Sequence, residues 1–355
     1  MFRKAKWIAG VSILSFCVAF GGCSGKEVEK EEKKEETNQI EEYSDSIFAM
    51  DTYMSLTAYG EHGKKAVEDG KKEIERLDTL WSVSSSDGEV YTLNETGSGK
   101  VSQDTLRLLE QAEEISDGTE NAFDITIYPL MELWGFTTGN YKVPANKEIN
   151  HVLDKVDQSQ ISLEKESGKV TLGKGQKIDF GGIAKGYASN RVMEIWKQAG
   201  VTSGMVSLGG NVQVLGTKTD GTPWKVGIRD PESKEGDVLG ALQVTDCAVI
   251  TSGGYERYFE EDGESYHHIL DTGTGYPADS GLLSVTIVSE DGTKADALST
   301  ALFVMGKEKA ISYWREHPKE FEAVLVEEDG TVYITEGLET TFSSEKNYTV
   351  VPEKE

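Results

Sequence analysis

The segment from Lys177 to Ala199 constrains this chain more than any other, because it joins an extended run to a helical run through two glycines. Lys177, Ile178, Asp179 and Phe180 read as a short strand, and Gly181 and Gly182 follow. Ile183, Ala184, Tyr187, Ala188, Arg191, Val192, Ile195, Trp196 and Ala199 then recur at three- and four-residue steps, the period of one buried helical face. A strand that turns through Gly-Gly into a helix N-terminus can bind anions, since the first N–H groups of a helix lack internal partners and sit at the positive end of its dipole. Lys185 adds a full charge in the first turn, and Asp179 can accept from a polar ligand. Taken alone, the same residues also describe an ordinary strand-to-helix turn in which Asp179 and Gly181 serve only the backbone.

The chain has 355 residues and 38 glycines, enough for one large turn-rich domain or two closely packed ones. Its net charge of −26 argues against nucleic acid as a partner, because a phosphate backbone needs a basic surface. Small phosphates stay open to a local site. Cys17, Cys23 and Cys247 form neither a disulfide framework nor a zinc site, and Cys247, within CAVI, reads as a small buried side chain.

Arg3, Lys4 and Lys6 precede the apolar stretch WIAGVSILSFCVAF, which is too short for a comfortable membrane span, and the small residues GGCSG follow. This pattern assigns residues 1–22 to a lipoprotein signal peptide. Gly21-Gly22-Cys23 resembles a lipobox, with Cys23 the lipidated residue and Phe20 standing where Leu is usual. An uncleaved anchor is the alternative, and either arrangement places the protein on the extracytoplasmic face of a cell membrane. Residues 23–42 are charged, almost free of apolar side chains, and read as a disordered tether. Residues 43–345 remain as the folded domain.

Within that domain the patterning predicts a strand pair or one long bent strand over 43–60 and helices over 64–80, 102–116 and 147–156. It predicts a Ser-rich loop over 81–94 and a hairpin around Ser167-Gly168. After the opening helix it predicts strands at 204–208, 212–215, 224–228, 240–244, 248–252, 266–270, 283–289, 322–327 and 332–335, with helices at 294–305 and 307–316. Strands and helices mix without regular alternation, so the expected class is α+β, mixed sheets with packed helices, and not a doubly wound sheet. The missing βαβ alternation also disfavours a two-lobed solute-binding lipoprotein.

Three further stretches carry chemistry. In KADALST, Asp296, Ser299 and Thr300 lie at i, i+3 and i+4, so their oxygens share one helix face and suit a hard cation such as Mg²⁺. The same residues also fit a helix start with Asp296 near its positive end. In SYHHILDTGTGYP, the adjacent His267 and His268 point to opposite faces of a strand, ahead of a glycine-rich turn that allows close backbone approach to a ligand. SLGGN and TSGGYERYF each put Gly-Gly at the end of an apolar strand, which suggests several loops converging on one polar ligand.

AMDT, NAFD, IDFGGIAKGYASN, SLGGN, TSGGYERYF, HHILDTGTGYP and ADALSTALFVMG, in that order from about Phe48 to Val326, resemble the ApbE family of FAD:protein FMN transferases. The resemblance implies an ApbE-like, T-fold-related architecture. It implies a Mg²⁺-dependent enzyme that binds FAD and transfers its FMN half to a Ser or Thr hydroxyl of an acceptor protein, releasing AMP. By motif, Met50, Ser84, Ala122, Phe123, Asp124, Asp179, Lys185, His268 and Leu270 would contact FAD. Gly182 through its carbonyl, Asp296, Ser299 and Thr300 would hold the metal. His268, Asp296 and Lys185 are the catalytic candidates, with His268 favoured as base over a metal-bound Asp296. Ser84 stands where the family often has an aromatic residue, and Asp271-Thr272 where Asp-Pro is common. An FAD pyrophosphatase giving FMN and AMP, and a flavin-holding lipoprotein without catalysis, are the competing readings.

Overall fold

The computed structural model describes residues 40–233 and 235–354. The expected signal peptide, the lipidation site Cys23 and the tether as far as Gln39 lie outside the described residues. The last tether residue, Glu42, already belongs to a strand.

The chain opens with β1 (Glu42–Ala49) and β2 (Thr52–Tyr59), followed by α1 (Gly63–Trp81), α2 (Glu89–Thr96), β3 (Ser98–Lys100) and α3 (Gln103–Gly118). Next come α4 (Tyr128–Trp134), α5 (Asn146–Leu153), β4 (Ser162–Glu164) and β5 (Lys169–Thr171). After α6 (Ala184–Gln198) run β6 (Gly204–Leu208), β7 (Asn211–Leu215), β8 (Trp224–Arg229), β9 (Val238–Val244) and β10 (Ala248–Gly253). The hairpin β11 (Tyr258–Glu261) and β12 (Glu264–His267) precedes β13 (Leu282–Ser289), α7 (Gly292–Met305) and α8 (Lys307–Glu316). The chain closes with β14 (Glu322–Glu327), β15 (Val332–Thr335), β16 (Phe342–Ser343) and β17 (Tyr348–Val351).

Nine strands form one sheet in the order β1-β2-β6-β7-β10-β13-β14-β15-β17, antiparallel throughout except for the parallel pair β15–β17. The pairing of β17 carries this sheet past the expected domain end at 345. One face of the sheet buries Met54, Leu56, Val206, Leu208, Ile250 and Val285 with Ile74 and Leu77 of α1, Val192 and Trp196 of α6 and Leu298 and Leu302 of α7. The other face packs Val214, Val249, Val324 and Ile334 on the three-stranded sheet β16-β9-β8. A separate apolar cluster joins Leu130, Trp134 and Phe136 to Ile149, Leu270, Phe259 and Tyr266. This is the expected α+β class, with helices on one face of an antiparallel sheet. No helix among the described residues is long and apolar enough to cross a membrane.

Register places two hairpin turns and one strand end at the same end of the large sheet. Ala49 pairs with Thr52 across Met50-Asp51, Leu208 with Asn211 across Gly209-Gly210, and Val212 with Val249 on the strand that ends at Gly253. Met50 and Asp51 have φ of 47° and 58°, and Gly209 and Gly210 of 64° and 99°, the left-handed pairs that tight two-residue hairpins require. Gly209-Gly210 is thus a two-residue hairpin turn packed on Thr52.

Three local expectations shift for physical reasons. Residues 177–180 are extended but not a ladder strand, because the Asn94 side chain takes the place of a neighbouring strand. It accepts from Ile178 N (2.7 Å) and donates to Ile178 O (2.9 Å). Val90–Leu93, read as the end of a loop, is instead inside α2, whose Val90 and Leu93 are buried and whose last turn closes on the left-handed Gly97. α7 begins at Gly292, two residues before the expectation, because Asp291 caps it by accepting from Thr293 N (2.9 Å) and Lys294 N (3.2 Å).

Candidate active site

α6 and α7 meet backbone to backbone where Gly186 faces Gly292. A Cβ on Gly186 would stand 2.1 Å from Gly292 O and 2.6 Å from the Asp296 Cβ, so only glycine fits. This contact brings Asp296, 3% exposed, under the first turn of α6. Its Oδ2 accepts from Gly186 N (2.9 Å), its Oδ1 accepts from Asn211 Nδ2 (2.8 Å), and Lys185 Nζ lies 3.9 Å from Oδ1. Ser299, fully buried, donates to Asp296 O (2.8 Å) and shares a hydrogen bond with Ser252 Oγ (2.8 Å), which also reaches Thr300 Oγ1 (3.1 Å). Gly182 lies beside this group, and a Cβ there would stand 3.7 Å from Thr300 Oγ1 and 3.0 Å from the Phe123 ring.

Gly182, Asp296 and Thr300 therefore converge as expected, while the Ser299 hydroxyl turns toward its own helix and Ser252. Among the described residues no three His, Cys, Asp or Glu side chains gather as a metal site. The oxygens present here are one carboxylate, two hydroxyls and a nearby carbonyl, the donor set of a hard cation that completes its shell with water or phosphate. The residues fit Mg²⁺ and do not suit a soft metal.

The approach to α6 is stiff. Ile183 N (2.9 Å) and Ala184 N (2.8 Å) both donate to Phe180 O, Gly181 N donates to the Asp179 carboxylate, and Lys185 Nζ donates to Gly181 O (3.1 Å). Burial holds the Asp179 carboxyl above the usual carboxylate range, against the opposing pull of Gly181 N–H, Arg257 and Lys185. Glu256 is raised in the same way by burial, opposed by Lys185 and Arg229. Lys185 thus lies 3.9 Å from Asp296 and within electrostatic reach of Asp179 and Glu256.

His268 follows β12. Its N–H and its Nδ1 both contact Arg257 O, at 3.0 and 3.1 Å, so the ring donates from Nδ1 and keeps its lone pair on Nε2. The Phe136 ring lies edge-on at 6.4 Å, and the Arg257 guanidinium lies 5.9 Å from that same ring. Desolvation, with Arg257 next in effect, lowers the imidazole pKa to about 3. His267 points the other way, as strand alternation requires. It packs edge-on to Phe303 (5.6 Å), with Nε2 3.1 Å from Ala278 O, and its role is packing.

The remaining candidates divide. Met50 is half-buried at the hairpin turn, and its N–H donates to Asp78 Oδ1 (2.9 Å). Phe123 packs beside Gly182 from the NAFD turn, in which Ala122 is half-buried, and the DTGTG loop clasps this turn through Thr272 Oγ1 donating to Asn121 O (2.6 Å). Asp124 is buried and accepts from Thr126 N (2.7 Å), Thr126 Oγ1 (2.6 Å) and Gln158 N (2.9 Å), so it fixes this turn. Leu270 lies inside the Trp134–Phe136 cluster, and Ser84 sits on the exposed loop after α1. Asn211, Ser252, Glu256 and Arg257 were not singled out by the sequence, although each stands in or next to a Gly-Gly motif that was.

A model of the ApbE family matches residues 50–325. A Klebsiella pneumoniae FAD:protein FMN transferase is 31% identical over 305 residues, covering 85% of this chain and 94% of that protein. A Treponema pallidum protein of the same name is 30% identical over 356 residues, covering 94% of each. Among solved structures, the ApbE protein of Thermotoga maritima superposes with a TM-score of 0.79 at 35% identity, covering 84% of this chain and 98% of that one. The flavin transferase ApbE of Vibrio cholerae gives 0.76 at 25% identity, covering 85% and 100%.

Proposed function

The chain belongs to the ApbE family, and on that premise we propose that it is an FAD:protein FMN transferase acting on a Ser or Thr hydroxyl of an acceptor protein. The observation that carries this reading is the convergence of Asp296, Thr300, Gly182 and Lys185 on the N-terminus of α6, where a pyrophosphate finds the Lys185 charge and the positive end of the helix dipole. Met50, Ala122, Phe123 and Asp179 are assigned to FAD, with Asp124 fixing the NAFD turn.

In the reaction the acceptor oxygen bonds to the phosphorus of the FMN half, the anhydride bond to the AMP half breaks, and AMP leaves with the electron pair. The hydroxyl proton passes to His268 Nε2, which is neutral at physiological pH and carries the lone pair. A pyrophosphate bound at Lys185 offsets the cationic field of Arg257 and Lys185 on the imidazole and raises its proton affinity. Lys185 and the positive end of the α6 dipole would offset charge that builds on the phosphates. Asp296, Thr300 and the Gly182 carbonyl would hold Mg²⁺, which supplies Lewis-acid neutralisation of the phosphate oxygens when bound. With the signal peptide and Cys23, we assign the enzyme to the extracytoplasmic face of the cell membrane, held by a lipid anchor.

The test is incubation of the protein with FAD, Mg²⁺ and a Ser/Thr-bearing acceptor. Covalent FMN on the acceptor by mass spectrometry, with one AMP per adduct, is expected. FMN and AMP released without adduct would assign a pyrophosphatase, and neither product would leave only flavin binding.

A further inference from the structure

Strand β7 turns two amides, Asn211 and Gln213, onto the face of the sheet that packs on α6 and α7, where β6 and β10 place Val206, Leu208 and Ile250. Both amides are 4% exposed. A buried amide among apolar neighbours is unfavourable unless its hydrogen bonds are made, and these two make different ones. Gln213 bonds only to α6: its Nε2 donates to Asn190 Oδ1 (2.9 Å), and its Oε1 accepts from Ser189 Oγ. Asn190 in turn accepts from Gly292 N (2.8 Å) and donates to Asp291 Oδ1 (2.6 Å), so this rung fastens α6 to the start of α7. Asn211 skips the helix backbone and donates to the Asp296 carboxylate itself.

We propose that Asn211 is a positioning residue that sets the affinity of the site for its divalent cation, by fixing which way the Asp296 carboxylate faces. The inference rests on the Mg²⁺-dependent reading given above. The torsion that turns a carboxylate about its last bond is broad and two-fold, so one donor alone does not hold it. Gly186 N–H on Oδ2 and Asn211 Nδ2–H on Oδ1 are donors from two different elements, a helix and a strand, and together they stop the rotation. The Asn211 backbone cannot retreat, because it closes the tight Gly209-Gly210 hairpin. Without its amide, Oδ1 is free to swing toward Lys185 Nζ, now 3.9 Å away, and close an ion pair that competes with the cation. Partners of this kind, which orient a metal ligand without touching the metal, typically change metal affinity by about 10- to 100-fold when removed.

The experiment compares Asn211→Leu with Gln213→Leu in the otherwise intact protein. Melting temperature is followed at fixed FAD over rising Mg²⁺, and melting is also recorded in EDTA. Both variants are expected to melt lower in EDTA, since each loses a buried hydrogen bond. Only Asn211→Leu is expected to move the Mg²⁺ midpoint of the melting shift upward by about tenfold or more, with Gln213→Leu moving it less than about threefold, as an indirect contact would. Equal shifts in the two variants, or no shift for Asn211→Leu, overturn the inference. A wild-type protein whose melting ignores Mg²⁺ overturns the metal reading as well, which separates the two failures. If Asn211→Leu does not fold, Asn211→Ala is judged by the same criterion.

Discussion

Asp296 and His268 both lie within the field of Lys185, yet they are held in opposite manners. Asp296 is fixed by two fitted donors from regular elements, a helix N–H and a strand amide, beneath a glycine contact that admits no side chain. His268 stands at the end of a hairpin, bonded to one backbone carbonyl and edged by an aromatic ring. The first arrangement costs little reorganisation when a charge arrives, which is what electrostatic preorganisation needs. The second keeps an imidazole neutral and lets its proton affinity respond to what binds beside it. The contrast is between a carboxylate held fixed on the α6–α7 side and an imidazole held by one backbone contact on the hairpin side.

The largest effect should come from the rigid side. Asp296→Ala is expected to lower FMN transfer by about a thousandfold at saturating Mg²⁺, read as the rate of adduct formation. His268→Asn should cost about a hundredfold, with the Mg²⁺ midpoint unchanged. Were the two losses equal and both removed by excess Mg²⁺, that contrast would fail. Gly186→Ala should destabilise the fold by about 2–3 kcal/mol, since the added methyl has no room against Gly292, and urea denaturation would read this directly.

A pH series sharpens the hairpin side. Burial puts the folded His268 pKa near 3, below the ordinary 6.5, so the unfolded chain takes up the proton first as pH falls. The His268 contribution to stability should therefore be flat above about pH 6.5 and decline progressively from there toward 3. His268→Asn should flatten part of that decline in urea midpoints measured at neutral and mildly acidic pH. His267, also lowered by burial, keeps the remainder. The smallest expected effect is Asp51→Gly, a gain of about 0.5 kcal/mol from relieving a left-handed residue at the Met50-Asp51 turn, seen as a small rise in melting temperature.

The regular elements were largely legible because they obey local periods. The buried positions of α1 recur at helical steps, and Ser102 caps α3 as its position before the apolar run suggests. Residues 177–180 misled because an amide side chain, not a strand, completes their backbone bonding, and no local pattern records a partner 84 positions away. The hairpin at the Gly-Gly of SLGGN was not legible, because hairpin turns and phosphate loops use the same residue for the same conformational freedom. Asp296, Thr300 and Gly182 were readable as a group by helix spacing and by resemblance. Asn211 and Ser252 were not, because their roles depend on the register of β7 and β10 against α7, which exists only once the sheet is assembled.

The first strand has a consequence for orientation. β1 enters the described structure at one end of the large sheet and delivers the chain to the Met50-Asp51 turn at the other, beside the site, without a bend. Eight extended residues span about 27 Å. That strand therefore sets the Met50-Asp51 turn at a fixed distance from the point where the described chain begins.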